Sequence, residues 1–186
     1  MKKLFILFGI ILFCVKLTAP PLDWWTSYEV RESHNAVYEM RLYDRELDLY
    51  AHHLGWCESR NNWKVVNKQG YMGTWQHGTE LLADLGFKIT PDAFRADSSI
   101  FPPELQYKVL MAQIKVQTIQ LRKFDAWIGH EVGGVVITRA GMLAGCHLGG
   151  YGAVKAYIRS NGAINRADAN GTSISDYMRE FSIYDL

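Results

Sequence analysis

The chain has 186 residues, of which 48% are hydrophobic, 13% aromatic and 21% charged, a mix that builds one domain around a buried core and excludes a disordered polyelectrolyte. Its 20 Lys and Arg against 19 Asp and Glu leave a formal charge of +1. The basic stripe that neutralises a phosphate backbone is therefore missing, and nucleic acid is not an expected partner.

In chain order, Lys2 and Lys3 precede an apolar run of twelve residues, 4–15, which Lys16, Thr18, Pro20 and Pro21 close. That is the length of a signal-peptide core and falls short of the roughly 20 residues that span a bilayer as a helix. Residues 1–19 thus read as a signal peptide or N-terminal membrane anchor, and the product as exported to the periplasm or cell envelope. Leu17-Thr18-Ala19 only approximates a small-x-small cleavage site, which leaves a tether to the inner membrane open. Cys14 follows bulky Phe13 and reads as apolar core, not as a lipid anchor. Without residues 1–19 the chain keeps 17 basic and 19 acidic groups, net −2, so attraction to an anionic surface is not its mechanism.

Residues 20–42 form an aromatic lead-in with Trp24, Trp25, Tyr28 and Tyr38, expected to pack on a domain formed by residues 43–186. Residues 44–58 have the spacing of an amphipathic helix, with Leu47, Tyr50, Ala51 and Leu54 on one face. Glu58 falls on that same face. Residues 59–78, rich in Asn and Gly, show no helical period and predict an irregular excursion or small hairpin. Thr79 starts a short helix that Gly86 ends, and Thr90-Pro91-Asp92 opens another. Pro102-Pro103-Glu104 opens what reads as the longest helix, to about Trp127, with Leu105, Val109, Ala112, Val116 and Ile119 on its inner face. Thr138 caps a helix through His147, a Gly-Gly pair breaks it, and residues 151–160 form the next. Residues 168–172 predict a turn, lacking the acidic ligands of a calcium loop, and residues 173–181 a last helix. The expected class is mainly α (α+β), with a small irregular or hairpin insert directly after Glu58.

The chemistry follows from that insert. No His-Glu-x-x-His, no Cys-x-x-Cys and no phosphate-binding glycine loop occurs, so the sequence names no metal and no cofactor. Cys57 and Cys146 are too few to staple the domain; they read as small buried residues, with a single bridge permitted by an oxidising compartment. A carboxylate buried without a cation favours its protonated form, as a general acid requires. Glu58 is placed for this, the alternative being a helix-end glutamate paired to Arg60 or Arg45.

From Glu58 the chain reads ESRNNWKVVNKQGYMGTWQ, with Ser59, Asn62, Val66, Gly70, Gly73 and Gln76 at unbroken spacing. This resembles the lytic transglycosylase family of peptidoglycan-cleaving enzymes, which share a lysozyme-like fold with goose-type lysozymes. A second block, AGCHLGGYGAV over residues 144–154, is similar to the family's Ala-Ala-Tyr-Asn-Ala-Gly-x-Gly-x-Val segment at Gly150, Gly152 and Val154. The resemblance covers roughly residues 43–157. The chain departs from it at Trp75, where the family has Met, and at His147-Leu148, where it has Tyr-Asn.

The resemblance implies a monomer acting on peptidoglycan glycan strands, cutting the β-1,4 bond from N-acetylmuramic acid to N-acetylglucosamine. Glu58 would serve as acid and then base. Gln76 would meet an N-acetyl group, while His147 would hydrogen-bond Glu58 or the sugar. Ser59 would support Glu58 or end its helix. Among Trp63, Tyr71 and Trp75 the expectation is sugar stacking, with core packing favoured for Trp63. Hydrolysis by a lysozyme needs a second carboxylate about 5 to 10 Å away; none lies between Glu58 and Glu80, leaving Glu80, Asp84, Asp97 and Asp125 to approach in space. A non-catalytic wall-binding module is the third alternative.

Overall fold

The computed structural model describes residues 29–186, with side chains from Tyr43 onward. Residues 1–19, expected to be a signal peptide or anchor, and Trp24, Trp25 and Tyr28 of the lead-in lie outside the described residues, as does the side chain of Tyr38. Contacts group the chain into two units, Met1–Glu39 and Met40–Leu186. Only helical backbone from Glu29 is described of the first; the second carries the core.

The elements are α1 (Glu29–Ser59), α2 (Thr79–Asp84), α3 (Pro91–Ala96), α4 (Pro103–Leu121), the antiparallel strands β1 (Glu131–Val132) and β2 (Val135–Val136), α5 (Arg139–Arg159) and α6 (Ile174–Glu180). Short 3-10 turns follow α3, α4 and α6. The architecture is mainly helical with one small sheet. Among the described residues no helix is long and apolar enough to cross a membrane.

The helix expected from residue 44 begins at Glu29 instead, because residues 29–43 contain no Gly or Pro to stop it. Its predicted inner face holds: Tyr50, Ala51 and Leu54 are buried, and Leu47 packs on the core from its edge. Two expectations for α4 fail. It is shorter than both α1 and α5, and Val116 and Ile119 are exposed. The face turned inward is Gln106, Val109, Leu110, Ile114, Gln117 and Leu121. Two of these are glutamines, so choosing the face by apolar residues alone rotates the helix wrongly.

The predicted break near residue 149 is a kink at Gly150, whose φ of 75° and ψ of 165° interrupt α5 where a side chain would be strained. The hairpin β1–β2 was not expected, since two-residue strands are too short to show alternation; Gly133-Gly134 between valines was its only signal. Helix α6 has the predicted start, with Ser173 and Asp176 forming a reciprocal capping box. It lies close on α5 along a stripe of small residues. A Cβ added to Gly141 would meet the Met178 carbonyl, one on Gly145 the Met178 and Ile174 side chains, and one on Gly149 the Ile174 side chain.

The core divides into two clusters. The larger unites α1, α4, α5 and α6 around Tyr50, Leu54, Leu110, Tyr157 and Phe181; the smaller holds Met72, Leu82, Ile89, Phe94, Phe101 and Val109. Fully buried Gln106 joins them. Its Oε1 accepts from the Thr74 amide at 2.8 Å, and its Nε2 donates to the carbonyls of Trp63 at 2.9 Å and Phe101 at 2.7 Å. Residues 59–78 are thereby pinned to α4 at both ends. Gly73, at φ 77°, lies so close that a Cβ would collide with this amide. Gln106→Leu strands three backbone groups and is expected to cost about 3 kcal/mol or more, at roughly 1–3 kcal/mol for each buried group left unpaired. A urea unfolding midpoint close to that of the wild type would contradict this account.

Candidate active site

The insert after α1 is held by turns whose residues are those of the spaced sequence block. Ser59 Oγ donates to the Thr74 carbonyl at 2.8 Å, closing the far side of the insert onto the end of α1. Asn62 Oδ1 accepts from the Lys64 amide, and Met72 bridges to Val66 on one side and His77 on the other. Gly70 and Gly73 both take positive φ. Gln76 does too, at 50°, uncommon for a residue with a side chain. Its Nε2 donates to the Gly73 carbonyl at 2.8 Å. Backbone strain of this kind is held in place by surrounding structure and gathers at binding sites.

Glu58 sits in the last turn of α1 with a side chain 16% exposed. The Tyr177 hydroxyl, from α6, donates to its Oε1 at 2.8 Å. His147 Nε2, from α5, stands 3.7 Å from the same oxygen, with its own side chain 8% exposed. That separation is an ion-pair distance when the imidazole is protonated, beyond a hydrogen bond. Three helices thus bring a carboxyl, a phenol and an imidazole to one point. Both neighbours address Oε1, and among the described residues Oε2 has no hydrogen-bond partner. Burial, then the negative charge and hydrogen bonding of Glu58, push the Tyr177 phenol far above its usual range, so it is a donor and not a base here.

His147 also belongs to the wall of a cleft of about 700 Å³. The cleft is bounded by residues 69–71 and 76–81, Pro91, Gln113 and Gln117 of α4, and residues 146–150 of α5. Glu58 does not itself line this space and adjoins it through His147. Four glutamines line it, and Glu80 is its one carboxylate. Among the described residues four buried side-chain polar atoms lack a protein partner, and three of them, His77 Nδ1, Gln113 Oε1 and His147 Nδ1, belong to residues of this wall. Such atoms are rare in a packed interior.

The expected site residues divide accordingly. His147 and Gln76 line the cleft, and Gln76 both shapes the insert and presents its amide. Ser59 bonds to the backbone, tying the insert to α1. Trp75 corrects the expectation of sugar stacking: it is 8% exposed, and its indole donates to the Ala51 carbonyl at 2.8 Å inside the larger core. Tyr71 is the exposed aromatic of the cleft, while half-buried Trp63 lies beneath the Lys64 ammonium. Cys57 and Cys146 are unpaired, and burial pushes both thiols up to about 12, too high for nucleophiles. Residues 168–172 form the predicted turn around Asp168 Oδ1. Tyr177, His77 and Gln113 were not foreseen. Each sits where helix periodicity or irregular sequence gives no functional signal, and only the fold brings them in.

The chain matches no protein-family model, no curated protein and no solved structure.

His77 is buried, its Nε2 donating to the Gln106 carbonyl at 3.3 Å and its ring 6.5 Å from that of His147. Burial above all, with the neighbouring His147 adding to it, pushes His77 down to about 3, against the partial support of that carbonyl. A histidine whose folded-state value is lowered stabilises nothing extra above the unfolded value near 6.5 and loses stability as pH falls from there toward about 3. Each pH unit crossed within that window is expected to remove up to about 1.4 kcal/mol. NMR titration should show the His77 ring neutral down to about pH 4, and a protonation step near the free value of about 6.5 would refute its burial as a neutral base.

Proposed function

We propose that this protein is an exported lytic transglycosylase with a lysozyme-like fold, cutting the bond from N-acetylmuramic acid to N-acetylglucosamine in peptidoglycan. The observation that carries the reading is the setting of Glu58: one part-buried carboxyl whose Oε1 meets Tyr177 and His147 while Oε2 is left to exchange a proton. The spaced block from Glu58 to Gln76 supports it, as does a cleft lined by amides suited to acetamido and hydroxyl groups. The apolar segment at residues 4–15 supports export to the periplasm or cell envelope, cleaved or retained as a tether.

In this reading a protonated Glu58 delivers its proton from Oε2 to the glycosidic oxygen as positive charge builds at the anomeric carbon. The carboxylate left behind is stabilised by the Tyr177 hydroxyl, since a hydrogen bond to an ionised acceptor is about twice as strong as one to a neutral group. Glu58 then takes the proton of the muramoyl 6-hydroxyl, whose oxygen closes on the anomeric carbon. One carboxyl serves both steps, and the product is a 1,6-anhydro end without addition of water.

A muramidase is the second reading, favoured by one observation: Glu80 lines the cleft that Glu58 adjoins and is the candidate for the second acid that hydrolysis requires. Asp84, Asp97 and Asp125 do not line it.

Mass spectrometry of digested peptidoglycan separates the two. Anhydromuropeptides, lighter by one water, are expected from the wild type and from Glu80→Gln; reducing ends that vanish in Glu80→Gln would replace this reading by hydrolysis. Glu58→Gln is expected to lower turnover by at least about 100-fold, the lower range for a general acid, with unchanged circular dichroism. Tyr177→Phe keeps the ring and removes the hydrogen bond, for an expected loss of about tenfold in kcat, roughly 1.4 kcal/mol of barrier. Full activity in Glu58→Gln would mean that the acid lies elsewhere.

A further inference from the structure

On the side of α1 next to Glu58, three groups of different chemistry converge. His53 and Cys57 stand four residues apart on one helical face, which stacks their side chains one turn above the other. Glu180, the last residue of α6, reaches across to both. Its Oε1 lies 3.1 Å from His53 Nε2 and 3.5 Å from Cys57 Sγ, and one ligand atom from each residue falls within 4.8 Å of the others. We propose that His53, Cys57 and Glu180 form a zinc site that clamps the end of α1 to α6.

The three ligand atoms stand near the spacing that a tetrahedral ion requires. Zinc bonds of about 2.0 to 2.3 Å to nitrogen, oxygen and sulfur set neighbouring ligand atoms roughly 3.3 to 3.8 Å apart. The His53–Glu180 separation lies just below that range, the Cys57–Glu180 separation within it, and all three ligand atoms lie within 4.8 Å of one another, so seating an ion draws the three side chains together. A thiolate, an imidazole and a carboxylate together favour zinc over magnesium or calcium, which take oxygen ligands, and three protein ligands leave a fourth position for water. The Glu180 side chain is 45% exposed and that of His53 27%, so the ion has a path from solvent.

The surroundings of His53 match those of a ligating histidine. Its Nδ1 is 3.0 Å from the Tyr184 hydroxyl, and its ring stacks on Phe181 with centroids 4.6 Å apart. With the ring proton on Nδ1 pointing to the Tyr184 oxygen, Nε2 presents its lone pair to the ion, the arrangement by which an outer partner fixes tautomer and orientation. Binding releases the thiol proton of Cys57 to solvent, and the thiolate and carboxylate neutralise the ion's two charges. Without an ion, Glu180 Oε1 is shared by His53 Nε2 and the Cys57 thiol, which donates to it; an ion replaces these two contacts with bonds to all three residues.

The placement has a consequence for the neighbouring site. Cys57 directly precedes Glu58, and Glu180 follows Tyr177 by one helical turn on α6. The clamp therefore holds the same two helices whose approach makes the Glu58–Tyr177 hydrogen bond. Its existence does not depend on what the cleft binds.

The test uses the full chain, free of affinity tags and with thiols reduced, titrated with Co²⁺ and then Zn²⁺. One equivalent of Co²⁺ is expected to give a sulfur-to-cobalt charge-transfer band in the near ultraviolet, which Zn²⁺ removes by displacement. Zinc should raise the thermal midpoint and a chelator reverse the rise, because binding to the folded state alone is stabilising. Cys57→Ser, which preserves size, should abolish the band and the zinc-dependent rise with an unchanged circular dichroism spectrum. His53→Ala and Glu180→Gln should each weaken zinc binding at least tenfold, whereas Cys146→Ala and Glu58→Gln should not alter it. No band in the wild type, or a band that persists in Cys57→Ser, would overturn the site. So would unchanged zinc affinity in all three ligand variants.

Discussion

The insert that shapes the cleft depends on one buried amide. Residues 60–78 have no helix and only isolated bridges at Met72 to satisfy their backbone, and a loop of that length brought against a core would leave polar groups stranded. Gln106 supplies what secondary structure does not: an acceptor for Thr74 and donors for Trp63 and Phe101. Its own backbone carbonyl accepts from His77. Because His77 and Gln76 follow directly from the pinned segment, the position of this part of the cleft wall is inherited from α4. A glutamine does this where an apolar residue could not, since close packing alone would hold the insert without fixing its register.

The same logic explains which features were legible in advance. Tyr50, Ala51 and Leu54 recur at helical spacing and are buried, so the first face could be read correctly. Gly70, Gly73 and Gln76 stand at turns that require positive φ, and two of them are the residue that adopts it freely, so the spacing of the block reports backbone geometry directly. Helix α4 defeats the same method because its inner face carries Gln106 and Gln117, and a polar residue is counted as outward until its partners are known. Trp75 fails for the opposite reason. An aromatic residue in a glycine-rich insert suits a sugar face as well as a core, and the indole bond to the Ala51 carbonyl decides for the core.

The surroundings of Glu58 were legible only in part. The helical face placed the carboxyl among apolar residues, and the second block pointed to His147, which stands 3.7 Å from Glu58, beyond the hydrogen bond expected of it. Tyr177 could not be found this way: it lies 119 residues further on, in a short helix whose capping signals predict its start but not what it touches. The family pattern that the sequence resembles has a tyrosine where this chain has His147. Here a phenol reaches Glu58 from α6, a residue outside the second block.

That reassignment makes α6 more than a closing helix. Its path is set by the glycine stripe of α5, where Gly141, Gly145 and Gly149 let the Met178 backbone and the Ile174 and Met178 side chains approach closer than any larger residue permits. Turned against that groove, α6 presents Tyr177 to Glu58 and Glu180 to His53 and Cys57 from a single rigid element. A carboxyl on α1 then receives its phenol from one turn of α6 while its neighbour Cys57 is held by the next. The small residues of α5 therefore help set how closely α6 brings Tyr177 to Glu58. The second sequence block matters through His147 in the cleft wall and through this packing, two roles carried by one helix.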